Sequence, residues 1–188
     1  MLINVRGGRN TVLNLARGEY VLFLDADDCF LYKNTLRTIA GCLQKERTDI
    51  LRTTGFKNIG DDFDAPMAEF GGPLPSVRRF ARNDYFATVS FSNAVCDTCF
   101  RRSLLAETRL RFREHVAFED TDWLLIALYH ARTISIMDFP FYGYRQTRGS
   151  TTRTPHIDAL RANAQGVFAA LRYFDADHID PFVCRIVR

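Results

Sequence analysis

The sequence predicts an α/β protein whose mixed sheet is flanked by helices, and three observations lead to that prediction. Residues 20–24 form an apolar run without alternation, which indicates a strand buried on both faces. Amphipathic helical patterns alternate with further strand-like runs, the order typical of α/β folds. With 188 residues, 47% of them hydrophobic, the chain is long enough for one domain with a sizeable core.

The first half of the chain predicts two helices and two strands. A helix over residues 11–17 ends at Gly18, and a strand follows over residues 19–24. Asn34 can cap a second helix that runs to about Glu46 with its apolar residues on one face. A second strand follows over residues 49–59. Residues 60–75 are rich in Gly, Pro and Asp, which indicates a loop long enough to serve a site.

The second half predicts a longer series of elements. A helix begins at Ser76, and the chain then continues through a strand (93–100), a short helical turn after Arg102, a helix (119–131), a strand (133–137) and a last helix (157–173). The tail from Asp175 has no clear pattern. We therefore expect residues 1–188 to form one partial domain that ends in a helical tail from about residue 155.

Composition and charge exclude several classes of protein. The formal net charge is only +3, and all but three of the 25 basic residues are arginines. They are spread along the chain, which argues against a basic surface stripe that binds nucleic acid. The longest apolar runs are much shorter than the roughly 20 residues of a spanning helix. The first ten residues lack the apolar stretch of a signal peptide, so we expect a cytoplasmic protein.

The five cysteines are scattered, which favours free thiols in a reducing compartment. Cys96 and Cys99 have CxxC spacing, but no second ligand pair lies near them in the sequence. Small buried side chains are therefore a better interpretation than a zinc or redox site.

Three carboxylates, those of Asp25, Asp27 and Asp28, follow the apolar strand directly. Open α/β sheets bind ligands at the carboxyl edge of the strands. Clustered carboxylates repel one another unless a cation lies among them, and oxygen ligands favour Mg²⁺ or Mn²⁺. This pattern predicts a metal-diphosphate site, whereas a solvated loop in which Asp28 caps the next turn is the alternative.

Two further segments could carry chemistry. Glu119 and Asp120 open the predicted 119–131 helix, where a carboxylate could act as a general base or simply complement the helix dipole. Residues 142–152 offer the guanidinium groups of Arg145 and Arg148 among glycines and hydroxyls, which fits a phosphate clamp or an exposed loop. The sequence leaves both choices open.

The order of these features resembles the family-two glycosyltransferases of the GT-A type. The resemblance rests on Gly-Arg-Asn at residues 8–10, on residues 16–28 with the DxD pair, on Phe-Glu-Asp at residues 118–120 and on Tyr-Gly-Tyr-Arg at residues 142–145. It extends over about residues 7–152. The resemblance implies a GT-A-like, truncated Rossmann-like fold and an inverting, metal-assisted transfer of a sugar from a nucleotide-diphosphate donor to an acceptor hydroxyl.

On the donor side, the resemblance gives roles to three residues. Asp25 and Asp27 match the DxD positions that contact the donor ribose and the metal, with Asp27 as the metal ligand for Mn²⁺ or Mg²⁺. Arg9 matches an arginine near the nucleotide. The implied partner is a nucleotide-sugar donor.

On the acceptor side, Asp120 matches the carboxylate that removes the acceptor proton, and Glu119 is its supporting neighbour. Arg145 matches a region that borders the donor diphosphate and the acceptor. The implied acceptor is a glycan or another hydroxyl compound. Such an enzyme would act in polysaccharide biosynthesis. We expect no membrane span, and the sequence leaves peripheral membrane association open.

The sequence also departs from the family pattern. The strand that ends in Pro-x-Tyr/Phe-Asn and the later Asp-Asp-x-Ser motif are both missing. We therefore expect a fragment of a longer enzyme or a shortened relative, with weak activity and an open sheet edge that favours a homo-oligomer.

Two other functions compete with this one. A haloacid-dehalogenase-like phosphatase would use Asp25 as its nucleophile, although the acidic segment 60–64 follows too soon for that family's later motif. A truncated subunit that only binds or oligomerises is the second alternative, and donor affinity distinguishes it from an enzyme.

Overall fold

The computed structural model describes residues 5–60, 68–89, 94–114, 116, 118–146 and 157–175. In this part of the chain, helices flank two mixed sheets. The helices are α1 (Val5–Leu15), α2 (Thr35–Glu46), α3 (Arg82–Thr88), α4 (Arg102–Thr108), α5 (Glu119–His130) and α6 (Ile157–Asp175). The strands are β1 (Tyr20–Leu22), β2 (Cys29–Phe30), β3 (Ile50–Thr53), β4 (Phe56–Ile59), β5 (Val77–Ala81), β6 (Thr98–Arg101), β7 (Thr133–Met137) and β8 (Tyr142–Arg145).

The larger sheet has the strand order β1-β6-β3-β7-β5. β3 and β7 run parallel, whereas the other described pairs in this sheet are antiparallel. This mixed sheet flanked by helices confirms the predicted fold class. Its centre is apolar, because Ile50 on β3 and Ile134 on β7 are fully buried opposite each other.

The smaller sheet has the order β2-β8-β4, with β4 parallel to β8. The prediction of one strand over residues 49–59 is wrong, because β3 and β4 belong to different sheets. Gly55 lies between them with φ +148°, a backbone conformation that residues with a Cβ rarely adopt. This glycine redirects the chain from the first sheet into the second.

β1 lies at one end of the described strand order, which corrects the prediction of a central strand buried on both faces. The run at residues 20–24 is apolar without alternation because its two faces meet different surroundings. Val21 and Phe23 are buried in the core, whereas Leu22 and Leu24 line an open groove of about 370 Å³ beside Val12 of α1. Leu24 remains 46% exposed.

Two other element predictions need correction. α1 begins at Val5 and not at residue 11. A strand occupies the place of the helix expected from Ser76, and α3 begins only at Arg82. The reason is tertiary, because β5 pairs with β7 from Val77 opposite Met137 to Ala81 opposite Thr133, and ladder hydrogen bonds outweigh a weak local preference. The predicted bounds of α2, α5 and β7 are confirmed within about one residue, but the Asn34 side chain bonds the backbone of Phe70 and does not cap α2.

The core centres on α5, which is buried from Thr121 to Leu128. Trp123 stacks on Phe112 with ring centroids 4.4 Å apart and makes an edge contact with Phe23 just after β1. This aromatic packing fixes the start of α5 beside the end of β1. Among the described helices, none is long and apolar enough to cross a membrane.

Candidate active site

Arg9 joins the end of β1 to the start of α5. One guanidinium nitrogen of Arg9 donates to both carboxylate oxygens of Asp25 at 2.9 and 3.1 Å. The other terminal nitrogen donates to Glu119 Oε1 at 3.0 Å. Three residues singled out in the sequence thus form one ion-paired network, although Arg9 and Glu119 are 110 positions apart.

Contacts with Phe112, made by Arg9 itself and by the neighbouring Asn10, hold Arg9 in position. The next residue of α1, Asn10, donates to the carbonyl of Phe112 and accepts from its N–H, each at 2.9 Å. The Arg9 guanidinium lies 5.5 Å from the centre of the Phe112 ring. Burial lowers the pKa of Arg9, but Asp25, Cys96 and Glu119 together outweigh this effect and the net shift of the pKa is upward. Arg9 therefore remains a fixed positive charge between two carboxylates.

Asp120 lines a cavity of about 510 Å³ together with Asp25 and Asp28. Burial raises the pKa of the Asp120 carboxyl group to about 6, while Arg9 lowers it and Glu119 raises it. A carboxylate with such a pKa is mostly ionised at neutral pH and can still accept a proton from a hydroxyl group. This arrangement favours a role as general base for Asp120 over the interpretation that it only complements the helix dipole.

Asp28 connects the acidic loop, residues 25–28, to β8. The Tyr142 hydroxyl donates to Asp28 Oδ2 at 2.5 Å, and the Arg145 N–H donates to Oδ1 at 2.8 Å. The N–H of Asp25 donates to the same tyrosine hydroxyl at 3.3 Å. Asp28 is therefore bound on both oxygens and does not lie in a solvated loop.

Asp27 differs from its two neighbours because its carboxylate is exposed and makes no hydrogen bond or ion pair with the residues the structure describes. Arg145 Nε donates to the Asp27 carbonyl at 2.9 Å, so a positive charge lies beside it. Asp25, in contrast, is neutralised by Arg9. Asp27 is thus the carboxylate of this loop that remains available to an external cation.

The described residues contain no group of three or more histidine, cysteine or acidic side chains that could enclose a metal. An exposed carboxylate such as Asp27 nevertheless fits one common mode of Mg²⁺ binding, in which one or two carboxylates act together with substrate phosphates and waters. The residues therefore fit a cation that arrives with a diphosphate, and they do not form a protein-only cage.

Cys96 also reaches the acidic loop, since its thiol donates to Asp25 Oδ2 at 3.2 Å. Burial raises the pKa of Cys96 strongly and that of Cys99 to about 12, so neither thiol is reactive at neutral pH. The prediction that these two cysteines are small buried side chains is confirmed.

Sequence reasoning missed a buried polar network beneath the cavity. Arg52 of β3 pairs with Asp97 at 3.3 Å and donates to the Tyr85 hydroxyl at 2.8 Å. Asp97 also lines the cavity. An arginine in an otherwise apolar strand was the available signal, but its partners come from distant segments. Residues 147–152, the remainder of the predicted phosphate clamp, lie outside the described part of the chain.

Comparison with known proteins gives one family. The sequence profile of glycosyl transferase family 2 matches residues 4–109, more than half of the chain. An uncharacterized glycosyltransferase, EpsJ of Bacillus subtilis (strain 168), is 26% identical over 165 residues, which cover 86% of this chain and 48% of that protein. The poly(ribitol-phosphate) beta-N-acetylglucosaminyltransferase TarS of Staphylococcus aureus is 28% identical over 143 residues, covering 74% of this chain and 23% of TarS.

Solved structures agree with this similarity at the level of the fold. The crystal structure of S. aureus TarS 1-349 in complex with UDP-GlcNAc superposes with a TM-score of 0.59 at 23% identity. The superposition covers 85% of this chain and 46% of the TarS chain. The chain therefore spans about half the length of EpsJ and of the solved TarS fragment.

Proposed function

The chain belongs to glycosyl transferase family 2, and from that membership we propose that it carries the catalytic carboxylates for moving a sugar from a nucleotide-diphosphate donor to an acceptor hydroxyl. The transfer inverts the configuration at the sugar carbon. One observation carries the proposal: Arg9 holds Asp25 and Glu119 together, and this places Asp120 and Asp25 on one cavity.

Asp120 is the general base of the proposed reaction. Its carboxylate takes the proton from the acceptor hydroxyl, which strengthens the attacking oxygen. The oxygen forms a bond to the sugar carbon from the face opposite the departing diphosphate, whose bond to that carbon breaks with its electron pair. A pKa of about 6 leaves Asp120 mostly deprotonated at neutral pH, as this step requires.

Asp25, Asp27, Arg9 and Arg145 form the proposed donor side. Asp25 is held by Arg9 and orients the donor ribose. Asp27 would hold the cation, and Mn²⁺ or Mg²⁺ would supply positive charge beside the departing diphosphate. Arg145, anchored on the carbonyls of Asp27 and Gly60, borders the same diphosphate.

The phosphatase alternative is weaker. A phosphatase of that type needs Asp25 as a free nucleophile, whereas Arg9 and Cys96 both donate to its carboxylate oxygens. Family membership also favours the transferase. The TarS structure with UDP-GlcNAc supports a nucleotide-sugar as the donor class, and UDP is therefore the first probe to use.

A binding or oligomerisation role is the second candidate function, because apolar side chains of α1 and of the segment after β1 are exposed. Val12 and Leu24 line the groove beside β1 and are 45 and 46% exposed, and Leu15, three positions after Val12 on α1, is 71% exposed. A second copy of the chain would cover them.

We place the protein in the cytoplasm, in polysaccharide biosynthesis, without nucleic acid as a partner and with membrane contact limited to the surface.

Titration calorimetry with UDP and Mn²⁺ tests the donor site. Asp27→Ala should weaken the joint binding of UDP and Mn²⁺ by roughly tenfold or more, about 1.4 kcal/mol, because it removes the exposed carboxylate. Glu107→Ala is the matched control, since Glu107 is an exposed acid on α4 that does not line the cavity.

Equal affinity in Asp27→Ala and in the parent would contradict the metal role of Asp27. Failure of the parent to bind UDP with either Mn²⁺ or Mg²⁺ would favour the non-catalytic role. A transfer assay with a UDP-sugar separates a donor-binding subunit from an enzyme, because only the enzyme releases UDP.

A further inference from the structure

One face of the small sheet forms a wall of the active-site cavity. Side chains at alternate positions of a strand point to the same face. β4 runs parallel to β8, with Phe56 opposite Tyr142 and Asn58 opposite Tyr144. These four residues line the cavity, as does Gln146, two positions after Tyr144. We call these five residues the cavity wall.

The chemistry of the cavity wall is aromatic and neutral. Phe56 is 46% exposed, and its ring centre lies 5.6 Å from that of Tyr144 in an edge-to-face arrangement. Asn58 and Gln146 each carry an amide, which donates and accepts hydrogen bonds at one site. A large apolar ring left exposed beside amides, next to a catalytic carboxylate, points to a ligand with one apolar face and many hydroxyl groups.

The charges of the described residues around the cavity favour a neutral ligand over an anionic one at this wall. Among the described residues that line the cavity, none is a lysine or an arginine. Arg9 and Arg52 pair with lining carboxylates from outside the lining. The guanidinium group of Arg145 turns to the carbonyls of Asp27 and Gly60. A phosphate group at this wall would therefore find carboxylates and no cationic side chain among the described lining residues.

We propose that the cavity wall binds a neutral pyranose ring of the acceptor, so that the acceptor is a saccharide and not a polyol phosphate. The ring's C–H bonds carry slight positive charge and pack on the negative faces of Phe56 and Tyr144. Its hydroxyl groups bond to Asn58 and Gln146. One hydroxyl then faces Asp120 across the same cavity. This inference rests on the proposed function, because it assigns a substrate to the proposed base.

Saturation-transfer NMR on the 188-residue chain tests the inference without requiring turnover. The probes are methyl β-D-glucopyranoside and methyl N-acetyl-β-D-glucosaminide, with ribitol 5-phosphate as the anionic comparison. We expect the glycosides to bind and Phe56→Ala to weaken them by roughly three- to tenfold, the value of one aromatic contact. Phe168→Ala is the matched control, since Phe168 is an exposed ring on α6 that does not line the cavity. Asn58→Ala provides a second variant at the wall.

Three outcomes would overturn the inference: no saturation transfer from either glycoside, tighter binding of ribitol 5-phosphate, or glycoside binding that is unchanged in both Phe56→Ala and Asn58→Ala. A loss of UDP-GlcNAc affinity in Phe56→Ala without loss of glycoside affinity would assign the ring to the donor sugar, which also overturns it. The titration of the parent chain with UDP and Mn²⁺ tests the proposed function separately from this inference, because UDP carries no pyranose ring.

Discussion

Asp120 and Glu119 are adjacent carboxylates with different environments. Glu119 is ion-paired with Arg9, whereas Asp120 faces the cavity and burial raises the pKa of its carboxyl group to about 6. Neighbouring acids with separated roles are a common arrangement in active sites. Glu119 fixes the arginine, and Asp120, which has no ion pair with the described residues, remains able to accept a proton.

Replacement of Asp120 by asparagine should lower turnover by roughly a hundredfold or more, because Asn keeps the size but cannot accept a proton. UDP affinity should change little. In the parent, the rate should rise with pH through about 6 and level off above it, since the base is active only when deprotonated. Initial rates of UDP release between pH 5 and 8 measure both effects.

Glu119→Gln is the matched comparison for Asp120→Asn. Removing the negative charge beside Asp120 should move the midpoint of the pH profile below that of the parent, because Glu119 raises the pKa of Asp120 and its loss leaves Arg9 to lower it. Normal turnover in Asp120→Asn, or an unchanged midpoint in Glu119→Gln, would refute the assigned roles.

At the scale of elements, β8 and the acidic loop act as one unit. Tyr142 is almost fully buried, and its hydroxyl bonds to Asp28 and to the N–H of Asp25. The exposed Asp27 lies between these two anchored residues. The hydroxyl of Tyr142 therefore fixes the backbone that presents Asp27.

Tyr142→Phe should destabilise the fold by about 1–3 kcal/mol, because Asp28 loses a donor and the Asp25 N–H loses an acceptor. It should also weaken the joint binding of UDP and Mn²⁺, since the backbone around Asp27 is less constrained. Urea unfolding and calorimetry measure the two effects. Tyr32→Phe is the matched control, since the Tyr32 hydroxyl makes no hydrogen bond with the described residues. Equal losses of stability in both variants would contradict the role of Tyr142.

The sequence predicted those elements whose patterns are local. α2, α5 and β7 have periodic or continuous apolar runs, and the structure places them within about one residue of the prediction. β5 was missed because its conformation depends on pairing with β7, 50 or more residues away. The break between β3 and β4 lies at Gly55, and its positive φ cannot be recognised from the residue type alone.

The candidate site was predictable in its residues but not in its geometry. The resemblance to the family singled out Arg9, Asp25 and Glu119, which the structure joins by ion pairs. The contributions of Tyr142 and Cys96 depend on contacts with residues more than 70 positions away. No local pattern in one sequence reports such contacts, so these two residues could be recognised only in the fold.

At the scale of the whole molecule, the two edge strands of the large sheet, β1 and β5, have different surroundings. β5 at one end is followed directly by α3, whose Tyr85 is buried. β1 at the other end of the described order borders the open groove lined by Val12, Leu22 and Leu24. In the described part of the chain, the outer edge of β1 therefore has no strand partner and lies beside these apolar side chains.

We predict that the chain forms a homodimer through this edge and that the dimer dissociates on dilution, because apolar burial and strand-edge hydrogen bonds favour pairing. Sedimentation velocity over a hundredfold range of concentration measures it. Leu15→Glu should shift the chain to monomer, since it places a charge where the parent exposes 71% of a leucine. Leu36→Glu is the control, because Leu36 is 61% exposed on α2. A parent that sediments as a monomer throughout, or Leu36→Glu acting as strongly as Leu15→Glu, would refute a dimer at β1.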